Sequence, residues 1–201
     1  LDSDSSTRPR IRDAFAHVHG PVRTAIVAVA LSHAVMVGVM ALTPVHMKHH
    51  DASLSIIGFT ISLHIAGMYA ASPIFGWLSD TWGSGRTILL GQATLVAACV
   101  IAGTAGDSMT QITIGLVLLG LGWSASVIAG AALLTSSTDT SVRPLVQGLS
   151  DLSMSAAGAM GGLIAGVVVS MWSFGALTAL AALAAIPVVL TALGTGVMKS
   201  R

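Results

Sequence analysis

The sequence contains no glutamate, a single cysteine (Cys99) and little charge of either sign, with 8% of its 201 residues being Asp, Glu, Lys or Arg. The missing glutamate excludes a His-Glu-x-x-His zinc helix, and scattered serines with no phosphate-cradling glycine loop give no catalytic constellation and no cofactor site. One cysteine excludes an internal disulfide, and Cys99 lies within an apolar run. Nine basic against eight acidic residues leave a net charge of +1 with no basic cluster, so nothing points to nucleic acid. The first twenty residues are polar and rich in arginine, without the apolar core of a secretory signal.

Apolar side chains fill the gap. They make up 54% of the chain, and the mean hydropathy is +0.86, more apolar surface than a soluble domain of this size can bury. Uncharged runs of about 20 residues recur, the length that crosses the hydrocarbon of a bilayer as a helix. Breaks in the hydropathy place six spans at about 21–43, 53–78, 87–104, 109–134, 144–170 and 174–196. Pro21 suits a first helical turn, whereas Pro44 and the polar run His46 to Asp51 are expected to close the first span. Ser53 is a candidate cap for the second, and turns fall at 104–108 and 136–140, with the last connection near 170–173. The expected fold is an all-α membrane bundle over residues 21–198, preceded by a solvated linker at 1–20 in which Arg10 to Val18 is either a short surface helix or an unstructured tail.

Basic residues are retained on the cytoplasmic side of a membrane. With the N-terminus inside, Arg8, Arg10, Arg12, Arg23, Arg86, Arg143, Lys199 and Arg201 all fall there, against Lys48 alone outside. That bias places a multi-pass protein in the cell membrane with both termini cytoplasmic, and Trp77 and Trp82 at the inner boundary and Trp172 at the outer one fit an aromatic belt.

Between the second and third runs stands Gly76-Trp77-Leu78-Ser79-Asp80-Thr81-Trp82-Gly83-Ser84-Gly85-Arg86, a polar, glycine-punctuated hinge. Its glycine, its aspartate four positions on, the next glycine three later and the arginine three after that resemble the signature loop of the major facilitator superfamily of secondary transporters. The pattern departs from the family's at Thr81 and Thr87, where basic residues are common. Such carriers have twelve spans in two six-helix halves, each with a version of this loop between its second and third helices. The resemblance therefore implies that this chain is one half, and the polar basic segment before the first span resembles the central linker, which makes it the C-terminal half. It further implies a small-molecule substrate, an N-terminal six-helix half as partner, and alternating access powered by an ion gradient, with a proton as the expected coupling ion. In the loop, Gly76 and Gly83 are expected to permit close approach and turn geometry, and Asp80 to accept from a helix N-terminus and pair with Arg86.

Polar groups within the spans are the other candidates, because an ionisable side chain in hydrocarbon is costly. Counting at about 1.5 Å per residue from Pro44 and Ala52 puts His33 and His64 about 16 to 18 Å below the outer boundary, near the bilayer midplane. Trp123 lies at a similar depth, away from the interface where tryptophan usually sits. Family resemblance places the equivalents of the first and fourth spans on the central cavity, so His33, His64 and Trp123 are candidate cavity residues; each histidine is alternatively a neutral, hydrogen-bonded structural group. In the fifth span Gln147, Asp151, Ser155, Gly158, Gly162 and Gly166 recur at steps of three and four, a helical face suited to close packing, with Gln147 and Asp151 at its inner end as an N-terminal stabiliser or a gate contact. His46, His49, His50 and Asp51 form an outer cluster that reads either as a solvated turn or as a metal-handling loop. Without a glutamate, a midplane carboxylate for proton coupling must come from the other half, or a histidine must take its place. Richness in Ala, Val and Gly fits a GC-rich bacterial genome, and the sequence names no substrate and chooses neither uptake nor efflux. The residues alone leave open a self-associating six-helix scaffold protein beside the transporter.

Overall fold

The computed structural model describes residues 15–197. The proposed surface helix at 10–18 falls mostly outside them, as do Arg8, Arg10, Arg12, Lys199 and Arg201 of the charge count. Six helical segments are long and apolar enough to cross a membrane: Gly20–His49, Leu54–Trp82, Ser84–Gly103, Met109–Ser136, Arg143–Met171 and Phe174–Gly194, here the first to sixth spans. Several begin where a hydroxyl caps exposed amides. Ser53 accepts from the Ile56 amide at 3.3 Å, Ser108 from Gln111 at 3.3 Å, and Ser173 from Ala176 at 3.1 Å.

Two prolines shape the spans in different ways, and one departs from the sequence expectation. Pro44 does not end the first span: it sits inside a helix that runs on to His49. A proline deprives the carbonyl four residues back of its donor. The carbonyl left without its donor is that of Met40, while the Thr43 hydroxyl bonds the neighbouring Val39 carbonyl at 2.8 Å; the helix runs through the proline with one backbone bond fewer, as membrane helices tolerate. The second span, by contrast, divides into Leu54–Tyr69 and Ser72–Trp82, because Pro73 cannot donate back across Ala70 and Ala71. Ser72 spans the break by donating to the Met68 carbonyl at 3.2 Å. The sixth span is likewise jointed at Ala184.

The stretch from Gly76 to Arg86 is helix on both sides of one residue, not an extended polar loop. The second span continues through Trp82 and the third starts at Ser84. Gly83 alone reverses the chain, at φ 96° and ψ 142°, a conformation that only glycine adopts without strain. Gly83→Ala should cost about 1–3 kcal/mol, visible as a lower thermal midpoint of the purified protein; an unchanged midpoint would show that the turn relaxes freely.

Where no hydrophobic drive separates helix from lipid, helices associate by close backbone contact and a few polar bonds. The third and fourth spans meet in this way: a Cβ on Gly91 would stand 2.8 Å from the Ser126 amide and 2.9 Å from the Gly122 carbonyl. The first and fifth spans meet at Gly161, where a Cβ would lie 2.5 Å from the Ala34 carbonyl. Gln92 ties three spans together, its Nε2 donating to Ser32 at 2.8 Å and to Ser126 at 2.9 Å. Removing that amide with Gln92→Leu should destabilise the bundle by about 1 kcal/mol, the scale of a membrane hydrogen bond, measurable as a shift in detergent unfolding.

The first, third and fourth spans are about half inside the bundle, whereas the second, fifth and sixth present most of their surface outward. Leu152, Leu163, Ile164, Val167, Leu190 and Leu193 are among the large apolar side chains exposed there. Such continuous exposed hydrocarbon is stable only against lipid or further protein.

Candidate functional site

His33, Tyr69, Trp123 and Gly158 stand at one level. They are the fourteenth of thirty residues in the first span, the sixteenth of twenty-nine in the second, the fifteenth of twenty-eight in the fourth and the sixteenth of twenty-nine in the fifth. Counting from the true end of the first span thus keeps His33 at mid-length, although Pro44 was the wrong landmark. The Trp123 indole Nε1 donates to His33 Nδ1 at 3.1 Å, with ring centroids 6.0 Å apart. Tyr69 meets Trp123 edge to face at 6.1 Å and 74°, in the geometry that aromatic quadrupoles favour, and its ring is 62% exposed. Gly158 makes room for the imidazole: a Cβ there would lie 2.6 Å from His33 Cδ2 and 2.9 Å from Nε2.

This geometry fixes a tautomer. An indole N–H only donates, so His33 Nδ1 must offer its lone pair, and the neutral ring then carries its proton on Nε2. Nε2 has no hydrogen-bond partner among the described residues, which leaves a spare donor on the imidazole edge that packs against Gly158. The charged side chains of the described spans, Arg23, Lys48, Asp80, Arg86, Arg143 and Asp151, all lie at least about 10 Å away along the helix axes, at 1.5 Å per residue. The described spans therefore bring aromatic faces and a neutral imidazole to mid-span, and no formal charge.

His64 does not join the group. It is fully buried between the second and fourth spans, with Nδ1 2.8 Å from the Leu116 carbonyl, so that its Nδ1 carries the proton. Its Nε2 is buried without a hydrogen-bond partner among the described residues. The structure thus sets one sequence candidate beside Trp123 on an open face and turns the other into a helix contact. Tyr69, which sequence reasoning missed, was findable as the chain's one tyrosine, placed at mid-span.

At the Gly83 turn the side chains behave less as a clasp than expected. Asp80 and Arg86 are both exposed, and no ion pair joins them among the described residues. Ser79 and Ser84 instead bond to each other across the turn at 2.8 Å. A Cβ on Gly76 would meet nothing within 4 Å, so that position makes no close approach within this bundle, whereas one on Gly85 would stand 2.6 Å from Val197 Cγ1. The turn and the end of the fourth span, from Leu133 to Ser137, enclose a groove of about 680 Å³ lined by Asp80 and Arg86.

The fifth-span stripe divides. Gln147 reaches Thr135 at 3.4 Å, Asp151 and Ser155 are exposed, Gly158 backs His33, a Cβ on Gly162 would lie 3.6 Å from Val37 Cγ1, and one on Gly166 would meet nothing within 4 Å. Steps of four over-rotate by about 40° each on a 3.6-residue helix, so the series drifts off the contact. The packed ridge is Gly158, Gly161, Ala165 and Val168, with the latter two buried. In the outer cluster, His46 stacks on Phe174 with centroids 4.4 Å apart and His50 pairs with Asp107 at 2.5 Å. No three His, Cys, Asp or Glu side chains converge to hold a metal among the described residues.

Comparison with known sequences decides the family, since residues 25–198 match the model of the Major Facilitator Superfamily. The chain belongs to the major facilitator superfamily. Two relatives from Bacillus subtilis (strain 168), both described as uncharacterized MFS-type transporters, are YddS, 40% identical over 168 residues, and YdeG, 42% identical over 149. The matches cover 82% and 74% of this chain but 38% and 35% of those proteins, so the chain spans a little over a third of the length of the curated relatives it matches. A more distant relative, the riboflavin transporter RfnT of Brucella anthropi, is 28% identical over 129 residues, 64% of this chain and 32% of that one.

Proposed function

We propose that this chain is the C-terminal six-helix half of a secondary active transporter that moves a small organic solute across the cell membrane by alternating access. The observation that carries the reading is the His33–Trp123–Tyr69 group: a neutral donor and two aromatic faces at mid-depth, where secondary carriers bind substrate. The membership and the transporter relatives, one of them a carrier of riboflavin, support a small-molecule cargo. The basic-residue bias supports cytoplasmic termini and a cytoplasmic Gly83 turn. In this reading the N-terminal half completes the cavity, and Asp80 and Arg86, exposed and unpaired in this bundle, are free to contact it.

The same geometry supports proton coupling. A proton arriving at His33 Nδ1 takes the lone pair that Trp123 uses, so protonation and the indole bond exclude each other. Histidine is suited to this exchange because its neutral ring keeps one lone pair that can either accept a hydrogen bond or take a proton. Protonation would thereby free Trp123 and alter the face presented to the solute. The test is uptake or efflux by the full-length carrier in inverted vesicles. Asp80→Asn should slow transport several-fold while leaving solute binding intact; equal loss of binding would place Asp80 in the solute site, and no effect on either would remove it from the gate.

A further inference from the structure

We infer that the solute recognised by this half is a flat, uncharged heteroaromatic molecule with a carbonyl or ring-nitrogen acceptor on its edge. The inference rests on the transporter reading above and adds the chemical class of its cargo. Three observations point there together. Tyr69 projects a largely exposed ring beside Trp123, and two aromatic surfaces at mid-depth offer stacking area that an aliphatic or sugar-like solute cannot use fully. The indole bond to Nδ1 directs a single N–H from His33 Nε2, which calls for an acceptor and rejects a donor. No Asp, Lys or Arg of the described spans stands at this level, so a charged solute would find no counterion in this half and would lose hydration on entry. Specificity then divides: the rings select flatness, and the imidazole selects the acceptor and its orientation.

Gly158 sets the geometry of that donor. Because the Cδ2–Nε2 edge of the imidazole lies against its bare backbone, any larger residue would displace that edge and the Nε2 donor with it. Gly158→Ala should therefore weaken an acceptor-bearing ligand while sparing one that only stacks.

The experiment uses the purified full-length carrier and two radiolabelled probes, acridone, a neutral flat tricycle with a carbonyl, and carbazole, a flat tricycle without an acceptor, with sucrose as a non-aromatic control. Acridone should bind more tightly than carbazole, and sucrose should not compete. His33→Phe, which keeps an aromatic ring but loses the donor, should weaken acridone about tenfold, the worth of one good hydrogen bond, and leave carbazole within about twofold. Trp123→Leu and Tyr69→Leu should weaken both probes. Equal binding of both probes by the wild type, or variants that leave acridone unchanged, would overturn the assigned class. A separate readout, whether a proton gradient switches the side from which a Ser155→Cys thiol is labelled, is independent of any ligand. If switching persists while the probes fail, the solute class is wrong and the transporter reading stands; if switching is absent as well, both fall.

Discussion

His33→Ala in the full-length carrier should reduce proton-driven transport at least tenfold, while His64→Ala should leave the transport rate per folded molecule nearly unchanged and lower the yield of folded protein instead. The two residues looked equivalent in the sequence and are not equivalent in the bundle. Loss of His33 removes the acceptor for Trp123 and the Nε2 donor together, and a hydrogen-bonding group aimed at a solute is worth about 1–2 kcal/mol, or about tenfold or more in rate when it also sets a neighbour's rotamer. Loss of His64 leaves a cavity between the second and fourth spans and removes the imidazole bond to the Leu116 carbonyl, at a cost of about 2 kcal/mol or more in stability. Coupling gives a further distinction. His33→Gln keeps polarity but cannot exchange a proton, so residual transport should lose its dependence on the pH gradient. Vesicle flux measured with and without an imposed gradient checks both statements. Equal losses for the two alanine variants would mean that the separation of a solute histidine from a packing histidine is mistaken.

Gly91→Leu should prevent the bundle from assembling, and Gly91→Ala should already cost about 1–3 kcal/mol, the usual penalty of overpacking. Even a methyl group at this position would stand within 3 Å of the Ser126 amide and the Gly122 carbonyl, and backbone cannot rotate away as a side chain can. The same crossing holds Ser126 within reach of Gln92, so spreading the third and fourth spans also breaks the polar tie to Ser32. Gly166→Leu serves as the comparison, because its Cβ direction is open and its effect should be slight. Fluorescence-detected size exclusion after graded heating separates the outcomes. A Gly91→Leu protein as stable as the wild type would contradict the close crossing.

Much of this architecture is legible in the sequence because hydropathy reports directly on the solvent that a membrane helix meets. Six apolar runs and a basic bias need no tertiary information. Helix ends are less legible: Pro44 reads as a stop, yet the helix runs through it to His49. Pro73 falls where the second span divides, although Ser72 bonds the Met68 carbonyl just as Thr43 bonds Val39. The turn at Gly83 was readable as a hinge but not as a single residue, since the polar residues around it extend both helices. At the candidate site, depth could be counted from the span ends, which brings out His33 and Trp123. Which way a side chain faces around its helix could not, and this is why His64 looked like a partner of His33. Gln92 and Gly161 went unnoticed for the same reason: their roles depend on neighbours 60 residues away for Ser32 and on Ala34 across another helix.

The central claim is that the His33–Trp123 level opens to one side of the membrane at a time. A thiol placed on the same face by Ser155→Cys, an exposed mid-depth position of the fifth span, reports this in the full-length carrier when a membrane-impermeant maleimide is offered from outside or from inside. Labelling should be fast from one side under an imposed proton gradient and fast from the other when the gradient is reversed, never from both at once. Equal reactivity from both sides, or labelling that ignores the gradient, would contradict the account.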